Sequence, residues 1–434
     1  MSEPETYFSA YSEKFRGLPD GWHKLKKVNF LVGENSTGKS SFIQLLTLLS
    51  SQQFLYSGQA TGVIPSISSA HDFISRARSA EFSSIGFASY SSAESEEEDG
   101  TFYGRIVTYF DVKEALEPCA ITAIGSGIGF TIYSDGDDIK LVTHELPSVK
   151  EMASDPSIVE QMHQQAVIGE SGEIIYTSEE DDDGFEWRAL LMKACGRFED
   201  RGIHAFIIPR PLNTLSYGPM RRAPQRLMHG DSLRFNSTGT HAPLLFRKIL
   251  QHTPELQERL NRFGIASRLF DGVSIEDIET KAGDAPFVFT LERGGKSFYV
   301  DELGYGVSQI LPVTFDMLVS DDSHTLLIQQ PELHLHPRAQ AEFGSFTHES
   351  CQDGPAVVIE THSDFIIDRF RVEQALAEEG EKVSSQVMFF DQREGTPENV
   401  LHYMEITNNG EFNFCPEAYR DFFVQENMKI LGTL

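Results

Sequence analysis

The sequence predicts an α/β protein with a mixed, mostly parallel core sheet and an antiparallel β portion. Three observations predict it. An apolar strand pattern, VNFLVG at 28–33, runs through a glycine-bearing turn into a helical pattern that starts at Ser40. The last third interleaves strand and helix patterns, with TLLIQ at 325–329, AVVIE at 356–360, FIIDRFRVEQAL at 365–376, and then QVMFF and LHYMEI. That is the order of a parallel sheet with crossover helices. Between these regions FYGRIVTYF, CAITAIGSGIGFTIYS and IKLVTH alternate short apolar runs with turn residues, as antiparallel strands do.

Taken in order, the first twenty or so residues read as a polar opening. VNFLVG is a buried strand, and SSFIQLLTLLSSQQFLY is one helix. Residues 56–100 are rich in Ser, Ala and Gly and end in the acidic run ESEEED at 94–99, the composition of a solvated loop. Antiparallel strands follow from 101 to about 180, interrupted by a polar, helical piece near 148–165. A second acidic run, EEDDD at 179–183, precedes FEWRALLMKACGRF, a loop leading into a helix. IHAFIIP at 203–209 reads as a strand, and 242–263 as a helix broken at Pro254. PFVFTLE is a strand ahead of the glycine-rich DELGYGVSQILP, after which a helix leads to TLLIQ. No repeat of fixed period is present.

Composition narrows the function. A chain of 434 residues can bury two ordinary cores. A net charge of -29 disfavours indiscriminate adhesion to nucleic acid or to an anionic membrane. Cys119, Cys195, Cys351 and Cys415 have no metal-ligand spacing and suit a reducing compartment as buried small hydrophobes. The opening MSEPETYFSAYSEKF lacks a basic and then apolar signal, and nowhere do eighteen apolar residues run together. A cytoplasmic protein without a membrane span is expected.

The motif with the firmest chemistry is GENSTGKS at 33–40. Gly33, Gly38, Lys39 and Ser40 stand at the required positions of the eight-residue phosphate loop, between a strand and a helix. Glycines let successive N–H groups of Gly33, Glu34, Asn35, Ser36, Thr37 and Gly38 curl round phosphates. The helix start at Lys39, Ser40 and Ser41 adds positive potential, and Lys39 neutralises the outer phosphates. Ser40 is placed to hold Mg2+ beside bound ATP. A second motif, LLIQQPELHLHP at 326–337, ends a buried strand at the point where a nucleotide site commonly carries acids. Here Gln329 and Gln330 stand instead. Both can hydrogen-bond, but neither takes a proton or binds a cation as a carboxylate does. Glu332 can do both, provided the chain bends at Pro331. A third motif, ETHSD at 360–364, again follows a strand and offers His362 to a γ-phosphate or an attacking water. His334 and His336 share a strand face, but zinc needs further ligands that cannot be assigned, so a structural or interface role is expected for them.

These residues together resemble ATP-binding-cassette ATPases of the Rad50, SMC, RecF and OLD class, and more closely the standalone prokaryotic AAA-like members with a PELHLHP motif. The matching elements are GENSTGKS (Walker A), LGYGVSQILP at 303–312 (signature), LLIQQPELHLHP (Walker B-like) and VVIETHSD at 357–364. SYGPMRRAP at 216–224 looks like the element between Walker A and the signature in such proteins, which makes Arg221 and Arg222 candidates for coupling. The resemblance implies an ABC-type P-loop ATPase head divided as follows: 1–55, the N-terminal part of the core with Walker A; 56–200, a strand-rich acidic insertion and antiparallel portion; 201–320, the coupling element and helical signature lobe; 321–434, the C-terminal core.

It further implies a head-to-tail homodimer or higher homo-oligomer, with Gly306, Val307, Ser308 and Gln309 of one subunit facing the ATP held by the other. His362 would be the switch histidine. Gln330 and Glu332 would flank the attacking water, and Gln329 the metal. The glutamine pair departs from the usual acids and predicts slow turnover. No heptad coiled coil separates the halves, and only about seventy residues follow His362, too few for an appended metal nuclease of the OLD kind.

Two-gene antiphage systems such as PARIS and Septu have similar ATPase components, which implies a scaffold that holds or releases a separate toxic effector, a nuclease, in response to a phage-encoded trigger. The acidic surface suits a basic effector. The alternatives are a RecF- or Rad50-like DNA-clamping ATPase, for which SYGPMRRAPQR at 216–226 is the only compact mid-chain basic patch, and a nucleotide-binding structural protein without turnover.

Overall fold

The run VNFLVG, flanked by charged and polar residues, folds as strand β3 (Val28–Gly33), and the other apolar runs of the last third assemble round it. The computed structural model describes residues 7–60, 63, 64, 67, 69, 72–75, 80–92, 100–112, 115–125, 127–136, 138–169, 172–177, 190, 194, 212–222, 227–228, 234–250, 253–278, 286–393, 396, 398–419 and 428. The acidic runs at 94–99 and 179–183, the expected strand at 203–209, and the stretch 185–198 apart from Leu190 and Ala194 lie outside them.

The chain forms two compact units. The first comprises residues 1–25, 35–213 and 392–400, the second 26–34, 214–391 and 401–434.

In the first unit β1 (Tyr7–Glu13), β2 (Gly21–Lys24), β4 (Phe82–Ser91), β5 (Thr101–Val112), β6 (Ala115–Gly125), β7 (Ile128–Asp135), β8 (Asp138–His144) and β9 (Glu173–Thr177) form one sheet in the order β2-β1-β4-β5-β6-β7-β8-β9. All seven of its strand pairings are antiparallel. Helices α1 (Lys39–Leu49), α2 (Gln52–Ser57), α3 (Val149–Ser154) and α4 (Ser157–Ile168) belong to the same unit. Three expectations are corrected here. The polar opening holds β1 and β2. The Ser-rich loop holds β4, between β1 and β5. The single helix from Ser40 is two, because Ser51 takes an extended conformation (φ -77, ψ 138) and its hydroxyl caps the Phe54 N–H.

Met152, Val159 and Met162 of α3 and α4 pack with Tyr11, Ile106 and Ile124 of the sheet. Below them runs a chain of side-chain hydrogen bonds: Ser84 to Thr108 (2.9 Å), Thr108 to His163 Nε2 (2.7 Å), His163 Nδ1 to Thr122 (2.8 Å), Thr122 to Thr131 (2.6 Å) and Thr131 to His144 (2.7 Å). Burial pushes His163 down to about 4, with His144 adding to the effect. Burial likewise pushes His23, bonded to Ser12 at 2.9 Å, down to about 4. Both rings are neutral in the fold but protonate below pH 6.5 once unfolded. Stability is therefore full above pH 6.5 and lost as pH falls from 6.5 towards 4, by roughly 3 kcal/mol per histidine at the acid limit. Urea midpoints measured across that range should fall, and His163→Gln should flatten about half of the slope.

In the second unit β15 (His324–Gln329), β16 (Ala356–Glu360), β17 (Ser385–Gln392), β18 (Asn399–Ile406) and β10 (Asn213–Tyr217) join β3 in the order β10-β15-β16-β3-β17-β18. The central pairs β15/β16, β16/β3 and β3/β17 are parallel, as expected. A smaller antiparallel sheet contains β11 (Leu227–Met228), β12 (Gly272–Asp277), β13 (Phe287–Arg293) and β14 (Lys296–Tyr299). The helices are α5 (Ala242–Leu250), α6 (Glu255–Ser267), α7 (Tyr305–Val319), α8 (Pro337–Asp353) and α9 (Asp364–Leu376). The break between α5 and α6 falls at Pro254 as predicted. By contrast, α7 starts inside GYGVSQ rather than after it.

Val28, Phe30, Leu326, Ile328, Val357 and Ile359 share a core with Phe343, Phe346, Ile366 and Phe370 of α8 and α9. Each such side chain contributes about 1.5–3 kcal/mol. The alternate residues Leu31, Leu327 and Val358 are buried too, as in a parallel sheet buried on both faces.

Candidate functional site

The GENSTGKS stretch turns on residues of positive φ. β3 ends at Gly33 (φ 143), Ser36 takes φ 67, and Gly38 (φ 109) is the N-cap of α1. A Cβ at Gly33 would collide with the Phe390 carbonyl, so only glycine fits there. Positive φ thus recurs at Gly33, Ser36 and Gly38 within six residues. Gly38 offers no side-chain cap to α1, and no acid sits in the first turn of that eleven-residue helix. Lys39 opens the helix at 4% exposure, Thr37 is buried, and Ser40 is exposed.

In the second unit the end of β15 turns sharply. Gln330 adopts φ 45, and its N–H donates to the Glu360 carbonyl at 2.7 Å. That left-handed residue supplies the bend Glu332 needs. The Glu332 carboxylate accepts the Thr361 hydroxyl on Oε2 (2.9 Å) and the His362 N–H on Oε1 (2.7 Å). Glu332, Gln329, Gln330 and His362 are therefore brought together at the ends of two adjacent parallel strands. The His362 ring is exposed, and the next residue, Ser363, caps α9 by accepting the Ile366 N–H.

The first turns of α7 join this strand end. Gly306 lies against the His334 carbonyl with no room for a Cβ, and the Tyr305 and His334 rings meet edge to face at 4.9 Å. Val307, Ser308 and Gln309 are buried, and the Ser308 hydroxyl donates to the Tyr305 carbonyl at 2.8 Å. The exposed residues at this helix start are Gly304 and Tyr305.

Arg221 ties the two segments together. Its Nη2 donates to the Gln329 carbonyl (2.8 Å) and its Nη1 to the Gln309 carbonyl (3.4 Å). The Gln309 amide in turn brackets the Arg221 backbone at 2.8 and 2.7 Å. Burial pushes the guanidinium down to about 10, opposed by Tyr217 and Glu332, so it stays charged at neutral pH. Its Nε finds no partner among the described residues. Arg221→Leu leaves two buried carbonyls without this donor and should lower stability by about 2–4 kcal/mol, read as a lower denaturant midpoint with an unchanged slope.

His241, Asp316 and Tyr217 form a polar group that the sequence reading did not single out. Asp316 Oδ2 takes the Tyr217 hydroxyl at 2.7 Å and His241 Nε2 at 3.0 Å, while the Asn236 N–H donates to His241 Nδ1 at 3.1 Å. The signal was an acid inside the apolar run ILPVTFDMLV. Glu360, 5% exposed at the end of AVVIE, was missed as well; a carboxylate closing an apolar strand was its signal.

His336 is the N-cap of α8, its Nδ1 accepting the Arg338 N–H at 3.2 Å ahead of Pro337, a structural role. Among the described residues no group of three or more His, Cys, Asp or Glu side chains is placed to hold a metal ion. No helix there is long and apolar enough to cross a membrane.

The architecture is mixed α/β, with separate antiparallel and parallel sheets and helices. Residues 200–368, well under half of the chain, match the family described as "AAA domain, putative AbiEii toxin, Type IV TA system". That segment holds the α7 motif and the QQPELHLHP and ETHSD motifs. No curated protein matches the chain.

Solved structures with some likeness include three SMC heads. One is bound to the C-terminal winged-helix domain of ScpA (12% identity, 93% of this chain and 98% of that one, TM-score 0.40). Another is the SMC head domain of Thermotoga maritima (11%, 93% and 100%, 0.36). The third is an Smc head with an extended coiled coil bound to the C-terminal domain of ScpA, derived from Pyrococcus furiosus (11%, 98% and 99%, 0.37). At these values the likeness assigns nothing, and the fold class rests on the strand order itself.

Proposed function

We propose that this chain is an ATP-binding, slowly hydrolysing switch that works as a homo-oligomer and controls a separate effector protein. The observation that carries the reading is the loop from Gly33 to Lys39, where left-handed backbone at Gly33, Ser36 and Gly38 leads into a helix with no side-chain cap. A triphosphate suits that donor set. Lys39 neutralises the outer phosphates and Ser40 offers its hydroxyl to the Mg2+ that accompanies ATP. Magnesium bound there supplies charge neutralisation of the phosphate oxygens.

Glu332 is the proton acceptor of the strand end. Its two oxygens, each already holding one hydrogen bond, keep lone pairs that can orient a water. Gln330 positions without taking a proton, and His362 lies beside Glu332 to meet the γ-phosphate. One base flanked by amides is consistent with slow turnover.

Ser308 supports switching rather than constant engagement. Its hydroxyl is committed to Tyr305, so contact with nucleotide on a second subunit requires that bond to be exchanged. Mixing Lys39→Ala with Ser308→Ala chains tests the shared site. If sites form across subunits, half the random dimers are mixed and each holds one intact site, so activity returns to about a quarter of wild type. No recovery at any ratio refutes the composite site.

The family described for residues 200–368 belongs to a toxin–antitoxin system, which supports an effector under control, within a cytoplasmic antiphage system, more than a repair role. The net charge of -29 favours a basic effector such as a nuclease, or a phage-encoded trigger, over DNA. The DNA-clamping alternative gains nothing from Arg221, which is 2% exposed and held by backbone carbonyls, and rests on the exposed Arg222. Co-purification with the products of adjacent genes, with and without ATP, followed by mass determination, tests the assignment. An ATP-independent, partner-free monomer would refute it.

A further inference from the structure

The strand-end acids that a metal–nucleotide site ordinarily uses are absent at Gln329 and Gln330, yet the same sheet carries a carboxylate one strand over. In the parallel ladders Gln329 lies opposite Glu360, and Glu360 lies opposite Leu31. Neighbouring strands are about 4.8 Å apart, and side chains alternate between faces along each strand. Leu326, Ile328, Val357, Ile359, Val28 and Phe30 point into the core shared with α8 and α9. Gln329, Glu360 and Leu31 therefore face the opposite side, together with Gly33, two residues beyond Leu31, where β3 runs into the phosphate loop.

Two further observations bear on Glu360. Its carbonyl anchors the Gln330 N–H at 2.7 Å, which fixes the Glu360 backbone relative to the amide pair. Glu332, with one hydrogen bond on each oxygen from Thr361 and His362, is assigned to the attacking water, which leaves the metal-facing carboxylate to another residue. Magnesium at a nucleotide needs only one or two carboxylates, because phosphates and water complete its shell; a cluster of three ligand side chains is not required.

We propose that Glu360 supplies the carboxylate of the metal–nucleotide site in place of the missing strand-end acid, with the Gln329 amide oxygen as a neutral partner. The inference rests on the ATP-binding reading and goes beyond it by naming the metal-facing residue.

The test is a Mn2+ titration followed by electron paramagnetic resonance, on full-length protein saturated with a non-hydrolysable ATP analogue. Glu360→Gln should weaken Mn2+ binding about tenfold or more, while affinity for the analogue in EDTA does not fall. Adding Gln329→Asp to Glu360→Gln restores a carboxylate on the same face and should recover most of the loss. A purely structural role for the buried carboxylate predicts no such rescue. Unchanged Mn2+ affinity in a cooperatively melting Glu360→Gln protein, or no recovery in the double variant, overturns the assignment. If Glu360→Gln does not fold, Gln329→Asp alone decides: a second carboxylate should tighten Mn2+ about tenfold, and no change overturns the proposal. Wild-type protein that fails to bind the analogue at all refutes the ATP reading itself, a separate outcome from nucleotide binding with an indifferent Glu360.

Discussion

Lys39→Ala is expected to weaken ATP binding by about a hundredfold or more, a loss of at least roughly 2.7 kcal/mol. The lysine is the first residue of α1 and is 4% exposed, so its charge sits where solvent screening is weak. Charge-assisted hydrogen bonds contribute about 1.5–3 kcal/mol each, and an ammonium can make more than one to a triphosphate. The fold should survive, because α1 is anchored by Phe42, Leu45, Leu46, Leu48 and Leu49, all buried, and alanine has the higher helix propensity. Equilibrium dialysis with labelled ATP gives the answer alongside a thermal melt. Unchanged affinity in a folded variant removes the phosphate-loop assignment and the proposed function with it.

Glu332→Gln should lower the turnover number by about a hundredfold with little change in nucleotide affinity. The substitution keeps the shape of the side chain. Its remaining oxygen can still accept the His362 N–H, and its new amide group can donate to Thr361, whose hydroxyl rotates to accept. The turn therefore stays closed and only the basic oxygen is lost. Single-turnover kinetics separate this from weakened binding: kcat should fall while KM holds. An unchanged rate would transfer proton acceptance to another group on the strand ends.

Much of the second unit was legible because its strands are buried on both faces. VNFLVG and AVVIE needed no partner to be recognised, since such runs have few other stable placements, and their observed bounds coincide with the runs. Helix α9 showed equally well as FIIDRFRVEQAL. The first unit was harder. FSSIGFASYS reads as a loop by composition, yet it is β4, paired with both β1 and β5 and buried along most of its length. Small side chains are chosen there by close neighbours on either side, and that choice is a tertiary matter. Ser9 and Ser12, which made the opening look polar, are buried in β1, and the Ser12 hydroxyl bonds the Pro19 carbonyl and His23.

At the candidate site the division is sharper. Residue types and spacing by themselves marked the GENSTGKS turn, the two strand-end runs and the individual strands of the parallel sheet, because each signal lies within one short stretch of chain. Tertiary structure alone decided that Gln330 is left-handed, that this turns Glu332 onto Thr361 and His362, and that Arg221 is a buried tie between Gln309 and Gln329. It also brought Glu360 onto the face of Gln329. Those facts depend on the register between strands more than twenty residues apart, and register is set by the packing of whole sheets and helices.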